Sequence, residues 1–409
     1  MTLSIERRVP YAAVALALAL GLGPERDAVA QATKETVSQL PAPTGAARVG
    51  TTISYLTDSA RIDADFPRGR PVTLQLWYPA SAARGSIASY LPDRGLAESL
   101  LRNQYYGVDS AALSAWAALR THSRLDAPPV AGTHPLVAFS VGLGVIRANY
   151  TSIAEELASH GFIVAMVESP LQGFMVLPNG TEVSDTAGRY GAPGPHREAV
   201  AAWARDISFV LDRLQRALVP TGARRVAATV DWTRVGATGH SSGGLVAIAA
   251  CESDARLRAC VNMDGGVASP EKEPLAEFVT RGVTRPTLFL RSEPLYDDTT
   301  LARRGMTREQ WVKRGEAGRV TFGELVSHSR AGALVTARVA GTGHFSFSDA
   351  PFVMPSAITR FGGRIIQPTR GWNVITAVLR TYFESELRGR GDGLAAVAAR
   401  FSELTVERP

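Results

Sequence analysis

The segment that most restricts how this chain can fold is Gly239-His240-Ser241-Ser242-Gly243. A strand-like run, Arg234-Val235-Gly236-Ala237-Thr238, precedes it. A run of small and aliphatic residues with helical character, Gly244-Leu245-Val246-Ala247-Ile248-Ala249-Ala250, follows. Joining a strand to a helix through so few residues demands a very sharp turn. Glycines on both sides of Ser241 meet that demand, because a Cβ there would collide with the adjoining strand or helix. A serine on such a turn projects its hydroxyl outward, and the N-terminus of the helix behind it favours developing negative charge. Alone, the pattern is weak: a chain with 38 glycines produces it by chance with a frequency of about 0.25. A Gly-rich turn carrying a solvent-exposed serine reads the same way, so other residues must decide.

A serine nucleophile needs a base, and among seven histidines His344 has the required context. It lies in Gly341-Thr342-Gly343-His344-Phe345-Ser346, a glycine-rich loop after the last strand-like run. Such a loop lets an imidazole come within hydrogen-bond reach of a serine hydroxyl. His240 sits inside the turn beside Ser241 and points elsewhere, and the other histidines lack matching context. Two places can supply the carboxylate that orients the base. Asp264 ends the run Ala259-Cys260-Val261-Asn262-Met263 and precedes Gly265-Gly266, one helix and one strand beyond Ser241. Glu293, with Asp297 and Asp298 nearby, follows the next strand. A carboxylate at a strand end has little other reason to be there, whereas Asp297-Asp298 reads as a solvated loop pair, so Asp264 is preferred. The developing oxyanion requires backbone N–H donors. Ser242 offers one, and Leu143, flanked by glycines in Ser140-Val141-Gly142-Leu143-Gly144, offers the second.

Strand-like runs recur at 52–55, 72–77, 135–139, 162–167, 234–238, 258–263, 286–290 and 333–339, mostly separated by helical patterns. The clearest helix covers 197–218, where Trp203, Ile207, Val210, Leu211 and Leu214 share one face. This alternation predicts an α/β architecture, a mostly parallel sheet with helices on both faces. Residues 85–129 break the rhythm as a helical insertion that either caps a site or only covers one end of the sheet. The domain is expected over 49–390, after a linker at 31–48 and before a C-terminal tail at 391–409.

The N-terminus has its own logic. Arg7-Arg8, an apolar stretch at 11–22 and Ala28-Val29-Ala30 have the order of an export signal spanning residues 1–30. The apolar stretch is too short to cross a bilayer, so a periplasmic or secreted mature protein is expected. The net charge of +6 comes from scattered arginines, which argues against nucleic acid as a partner. Cys251 and Cys260 are the only cysteines. They leave a disulfide open and give no basis for a zinc site.

With these residues assigned, the chain resembles the plasma-type platelet-activating factor acetylhydrolase family and its bacterial, dienelactone-hydrolase-like relatives. Four segments carry the resemblance: Leu74-Gln75-Leu76-Trp77-Tyr78-Pro79; Pro135 to Gly144; Leu157-Ala158-Ser159-His160-Gly161-Phe162-Ile163-Val164-Ala165; and Gly239 to Gly244. Val141 departs from the pattern, standing where relatives usually carry histidine. The resemblance implies an α/β-hydrolase fold with its acid after the strand following the elbow, which supports Asp264. It also implies a serine-dependent carboxylic ester hydrolase working through an acyl-enzyme, without metal or organic cofactor, on short-acyl or phospholipid-like esters. Lactone, thioester or amide cleavage by the same residues stays open, as does a non-catalytic binding protein that keeps the fold. Acyl-chain preference and oligomeric state have no signature in the sequence.

Overall fold

The computed structural model describes residues 39–409 except 83, 94, 104, 186–187, 270–272, 295, 297, 304 and 356–365. The export-signal reading and Asp297 therefore fall outside the described residues. Strands β1 (Arg48–Asp58), β2 (Arg70–Ala80), β3 (Ile87–Ser89), β4 (Arg120–Leu125), β5 (His134–Ser140) and β6 (Ile163–Glu168) come first. A small hairpin, β7 (Met175–Val176) and β8 (Glu182–Val183), follows. The chain continues through β9 (Val230–His240), β10 (Leu257–Met263), β11 (Thr287–Glu293), β12 (Leu334–Ala340) and β13 (Leu404–Glu407). All but the hairpin join one 11-stranded sheet in the order β13-β12-β11-β10-β9-β5-β6-β2-β1-β4-β3. From β6 to β12 every neighbouring pair is parallel. The strand order reverses direction between β5 and β9, the position at which open α/β sheets place their ligand sites.

Two apolar layers hold this sheet. On one face, helices Pro193–Gln215, Thr221–Ala227, Ser242–Ser253 and Arg308–His328 bury a core that includes Trp203, Ile207, Leu211, Val246 and Leu325. On the other, helices Thr151–Ser159, Pro368–Arg388 and Leu394–Arg400 pack Ile153, Leu157, Val378 and Phe383 against β5, β6 and β10. The central strands are buried on both sides and read as near-continuous apolar runs, as parallel strands must. Cys251, on the helix after the elbow, and Cys260, on β10, form a disulfide inside the first layer.

Three regions differ from the sequence reading. Residues 85–129 are helical only in the middle, at Leu96–Arg102 and Ser110–Ala118, while β3 and β4 at their ends extend the sheet. These strands are short and carry polar residues, so no apolar alternation marks them. The stretch after residue 390 supplies β13, which pairs antiparallel with β12 and closes that edge. Residues 40–47 are fastened to the Thr151–Ser159 helix: Thr44 donates its amide to Glu156 at 2.7 Å, and Ala47 donates to the Ser159 carbonyl at 3.0 Å. No helix of the described residues is long and apolar enough to cross a membrane.

Candidate active site

The elbow sits at the carboxyl end of β9, in the middle of the parallel block. Ser241 takes φ 56° and ψ −127°, a left-handed conformation that a non-glycine residue adopts only under constraint. A Cβ on Gly239 would run into the Gly243 carbonyl, and one on Gly243 would run into the carbonyls of Ser140 and Val141. The turn is thus pinched between its own helix and the end of β5, which explains the two flanking glycines. Ser241 is anchored by its amide, which donates to the Met263 carbonyl at 2.8 Å.

Asp264 follows Met263 directly and shares the strained geometry, with φ 55°. Its amide donates to the Leu290 carbonyl at 2.8 Å. Its Oδ1 accepts the Ser292 amide at 2.8 Å and the Ser292 hydroxyl at 2.9 Å. Its Oδ2 accepts from His344 Nδ1 at 2.8 Å. Burial pushes the Asp264 carboxyl up, but the His344 hydrogen bond and charge and the Ser292 amide outweigh it, leaving it below the ordinary carboxylate range. The other contenders are elsewhere. The Glu293 side chain is exposed while its carbonyl accepts the Gly341 amide at 2.9 Å. Asp298 pairs with Arg308 at 2.8 Å.

His344 opens a short 3-10 turn, His344–Phe347, after β12. The loop before it is pinned by the Thr342 hydroxyl on the Val339 carbonyl at 2.6 Å and by the Gly343 amide on Ser346 Oγ at 3.1 Å. The side chains of His344 and Asp264 remain 15% and 13% exposed, so the pair is shielded yet reachable.

Hydrogen bonding in the Val141–Gly144 loop occupies the amides on either side of Leu143. The Gly142 amide donates to the Tyr150 hydroxyl at 3.1 Å, and the Gly144 amide to the Gln172 carbonyl at 2.6 Å. The Gln172 side-chain amide also donates to the Val141 carbonyl at 2.9 Å. Leu143 lies between two occupied amides, and its own N–H has no partner among the described residues. The Ser242 N–H, at the start of the helix, has none either. Unpartnered amides at the edge of a buried loop are the donors an oxyanion would need.

Four further residues support these elements. Gln172, Tyr150, Ser292 and His240 are all held by tertiary contacts. Only His240 had a sequence cue, its place beside Ser241. Among the described residues, no group of three His, Cys, Asp or Glu side chains could hold a metal ion.

A strained serine after the middle parallel strand, a carboxylate after the next strand and a histidine after the last parallel strand define the α/β-hydrolase fold. Comparison with known proteins narrows this. Residues 32–170 and 223–384 match the family described as platelet-activating factor acetylhydrolase, isoform II. The chain belongs to that family. A platelet-activating factor acetylhydrolase of Cavia porcellus is 26% identical over 251 residues, which is 54% of this chain and 55% of that protein. A probable 1-alkyl-2-acetylglycerophosphocholine esterase of Arthroderma benhamiae is 28% identical over 136 residues, 32% of each chain. The chain spans about half the length of the acetylhydrolases it matches. A solved structure, a ferulic acid esterase from Streptomyces cinnamoneus, has a TM-score of 0.70 and 26% identity, and covers 91% of this chain and 99% of its own.

Proposed function

We propose that the chain is a serine-dependent carboxylic ester hydrolase. The observation that carries this reading is the 2.8 Å hydrogen bond between His344 Nδ1 and Asp264 Oδ2, beside a serine held at positive φ. In this mechanism Ser241 Oγ attacks the ester carbonyl while His344 Nε2 takes its proton. Asp264 keeps the ring oriented and stabilises the imidazolium. The N–H groups of Leu143 and Ser242 receive the developing oxyanion. His344 returns the proton to the leaving alcohol, and water repeats the sequence on the acyl-enzyme.

Family membership supports short-acyl, phospholipid-like esters as the first substrate class to test. The structural similarity to a ferulic acid esterase makes aryl carboxylic esters the second. We also read residues 1–30 as an export signal, on the order Arg7-Arg8, apolar stretch, Ala28-Val29-Ala30. Expression with the signal intact should yield a periplasmic or secreted protein whose N-terminus begins near Gln31 or Thr33.

A fluorophosphonate probe should label the wild type and fail to label Ser241→Ala. Equal labelling of the two proteins would remove Ser241 from the mechanism. A series of p-nitrophenyl esters of rising acyl length, set beside short-acyl phospholipids and feruloyl esters, would then assign the substrate class.

A further inference from the structure

His240 has a buried ring, 1% exposed, whose partners determine its state. Its Nε2 lies 2.9 Å from the carbonyl oxygen of His344. A carbonyl only accepts, so Nε2 carries the proton. Burial and the neighbouring His344 push the pKa of His240 down to about 3, so the ring stays neutral and its Nδ1 must accept. The Tyr150 hydroxyl, 2.9 Å from Nδ1, is the donor. The Tyr150 oxygen accepts in turn from the Gly142 amide at 3.1 Å. The result is a directed chain: Gly142 N–H to Tyr150, Tyr150 O–H to His240, His240 N–H to the His344 carbonyl.

The ends of this chain matter. Gly142 precedes Leu143, His344 carries the proposed base, and His240 itself precedes Ser241. Ring packing fixes the middle, with His240 stacked on Phe347 at 6.2 Å and 16° and Tyr150 against Phe139 at 5.0 Å. Resting on the hydrolase reading, we propose that His240 and Tyr150 are positioning residues that hold the oxyanion loop and the His344 loop in register across the elbow. Neither touches the reacting atoms. A slipped Gly142 would turn the Leu143 N–H away from the oxyanion, and a slipped His344 backbone would move the base from Ser241. Both faults are felt in the transition state more than in substrate binding, so kcat should fall while KM holds.

Tyr150→Phe removes one hydroxyl and keeps the ring; His240→Phe removes both hydrogen bonds of the imidazole. Each single variant should lower kcat on p-nitrophenyl acetate by about 10- to 100-fold, with KM within about twofold. The double variant should lose no more than the worse single one, because the pair acts as a unit. A second readout needs no turnover: the low-field NMR proton of the His344–Asp264 hydrogen bond should shift or broaden in both variants. Should His240→Phe not fold, Tyr150→Phe carries the test. The proposal is overturned by a Tyr150→Phe kcat within twofold of wild type, by losses that multiply in the double variant, or by an unmoved low-field proton. A wild type without esterase turnover would instead sink the hydrolase reading, and the low-field proton would then judge the coupling alone.

Discussion

His344 Nδ1 and Asp264 Oδ2 meet at 2.8 Å although 80 positions separate them in the chain. The meeting follows from a staircase of backbone bonds along the carboxyl edge of the sheet. Ser241 N–H binds the end of β10 at Met263, Asp264 N–H binds β11 at Leu290, and Gly341 N–H binds the end of β11 at Glu293. Each loop is therefore set against the strand beside it, which brings Asp264 to His344 and anchors the Ser241 backbone on the residue before Asp264.

The choice of acid is the sharpest consequence. Asp264→Asn should lower kcat by about three to four orders of magnitude, because an amide cannot hold the imidazole in the required tautomer or stabilise its charge. Glu293→Gln should stay within about twofold of wild type, since that side chain is exposed. Steady-state kinetics on one p-nitrophenyl ester compares them, and the reverse ranking would move the acid to Glu293.

The pinch at the elbow predicts that one methyl group is too many. Gly243→Ala puts a Cβ against the carbonyls of Ser140 and Val141, pushing the Leu143 loop away from the serine. Activity should drop by about 100-fold or more and the melting temperature should fall. An alanine variant with wild-type kcat would show that the loop yields at no cost.

Arg147 is buried and binds three elements at once. It donates to Asp93 in the insertion at 2.6 Å, to Glu168 at the end of β6 at 2.7 Å, and to Gln75 on β2 at 2.9 Å. Arg147→Met leaves two buried carboxylates without their counter-charge and should cost about 3–5 kcal/mol of stability. Urea unfolding measures this; a loss below about 1 kcal/mol would mean that neither carboxylate depends on Arg147 for its place in the fold.

Glu155 gives stability a pH dependence whose sign is fixed by its burial. Its Oε1 accepts from the Ser123 hydroxyl, while Oε2 is buried with no hydrogen-bond partner. Burial pushes this carboxyl up to about 7 against the opposing hydrogen bond of Ser123. In the unfolded chain it titrates near 4.3, an ordinary glutamate value of roughly that size. Between the two values the folded chain keeps a proton the unfolded chain has released, so stability declines as pH rises toward 7. Glutamine cannot ionise. The melting temperature of Glu155→Gln minus that of wild type should therefore grow by on the order of 2–4 °C from pH 5 to pH 8. A constant difference across that range would contradict the assignment.

What the sequence determined by itself was order and local geometry. Glycines at 239 and 243 mark a turn that needs bare backbone on both sides of Ser241. Asp264 directly follows the apolar run that becomes β10, and His344 follows β12 across the glycine-rich Gly341–Gly343 loop. The apolar periodicity of 197–218 marks the helix observed at Pro193–Gln215, since burial of one face imposes that spacing. Short polar strands carry no such imprint, so β3, β4 and β13 came to light only through their pairing partners. The preference for Asp264 over Glu293 was legible in the sequence, but its geometry is tertiary: Asp264 follows β10 and bonds His344, whereas Glu293 is the last residue of β11 with an exposed side chain. The contacts of His240, Tyr150 and Gln172 are tertiary in the same sense. A hydrogen bond between distant side chains leaves no periodic trace in the chain, and it exists only once the sheet has brought the loops together.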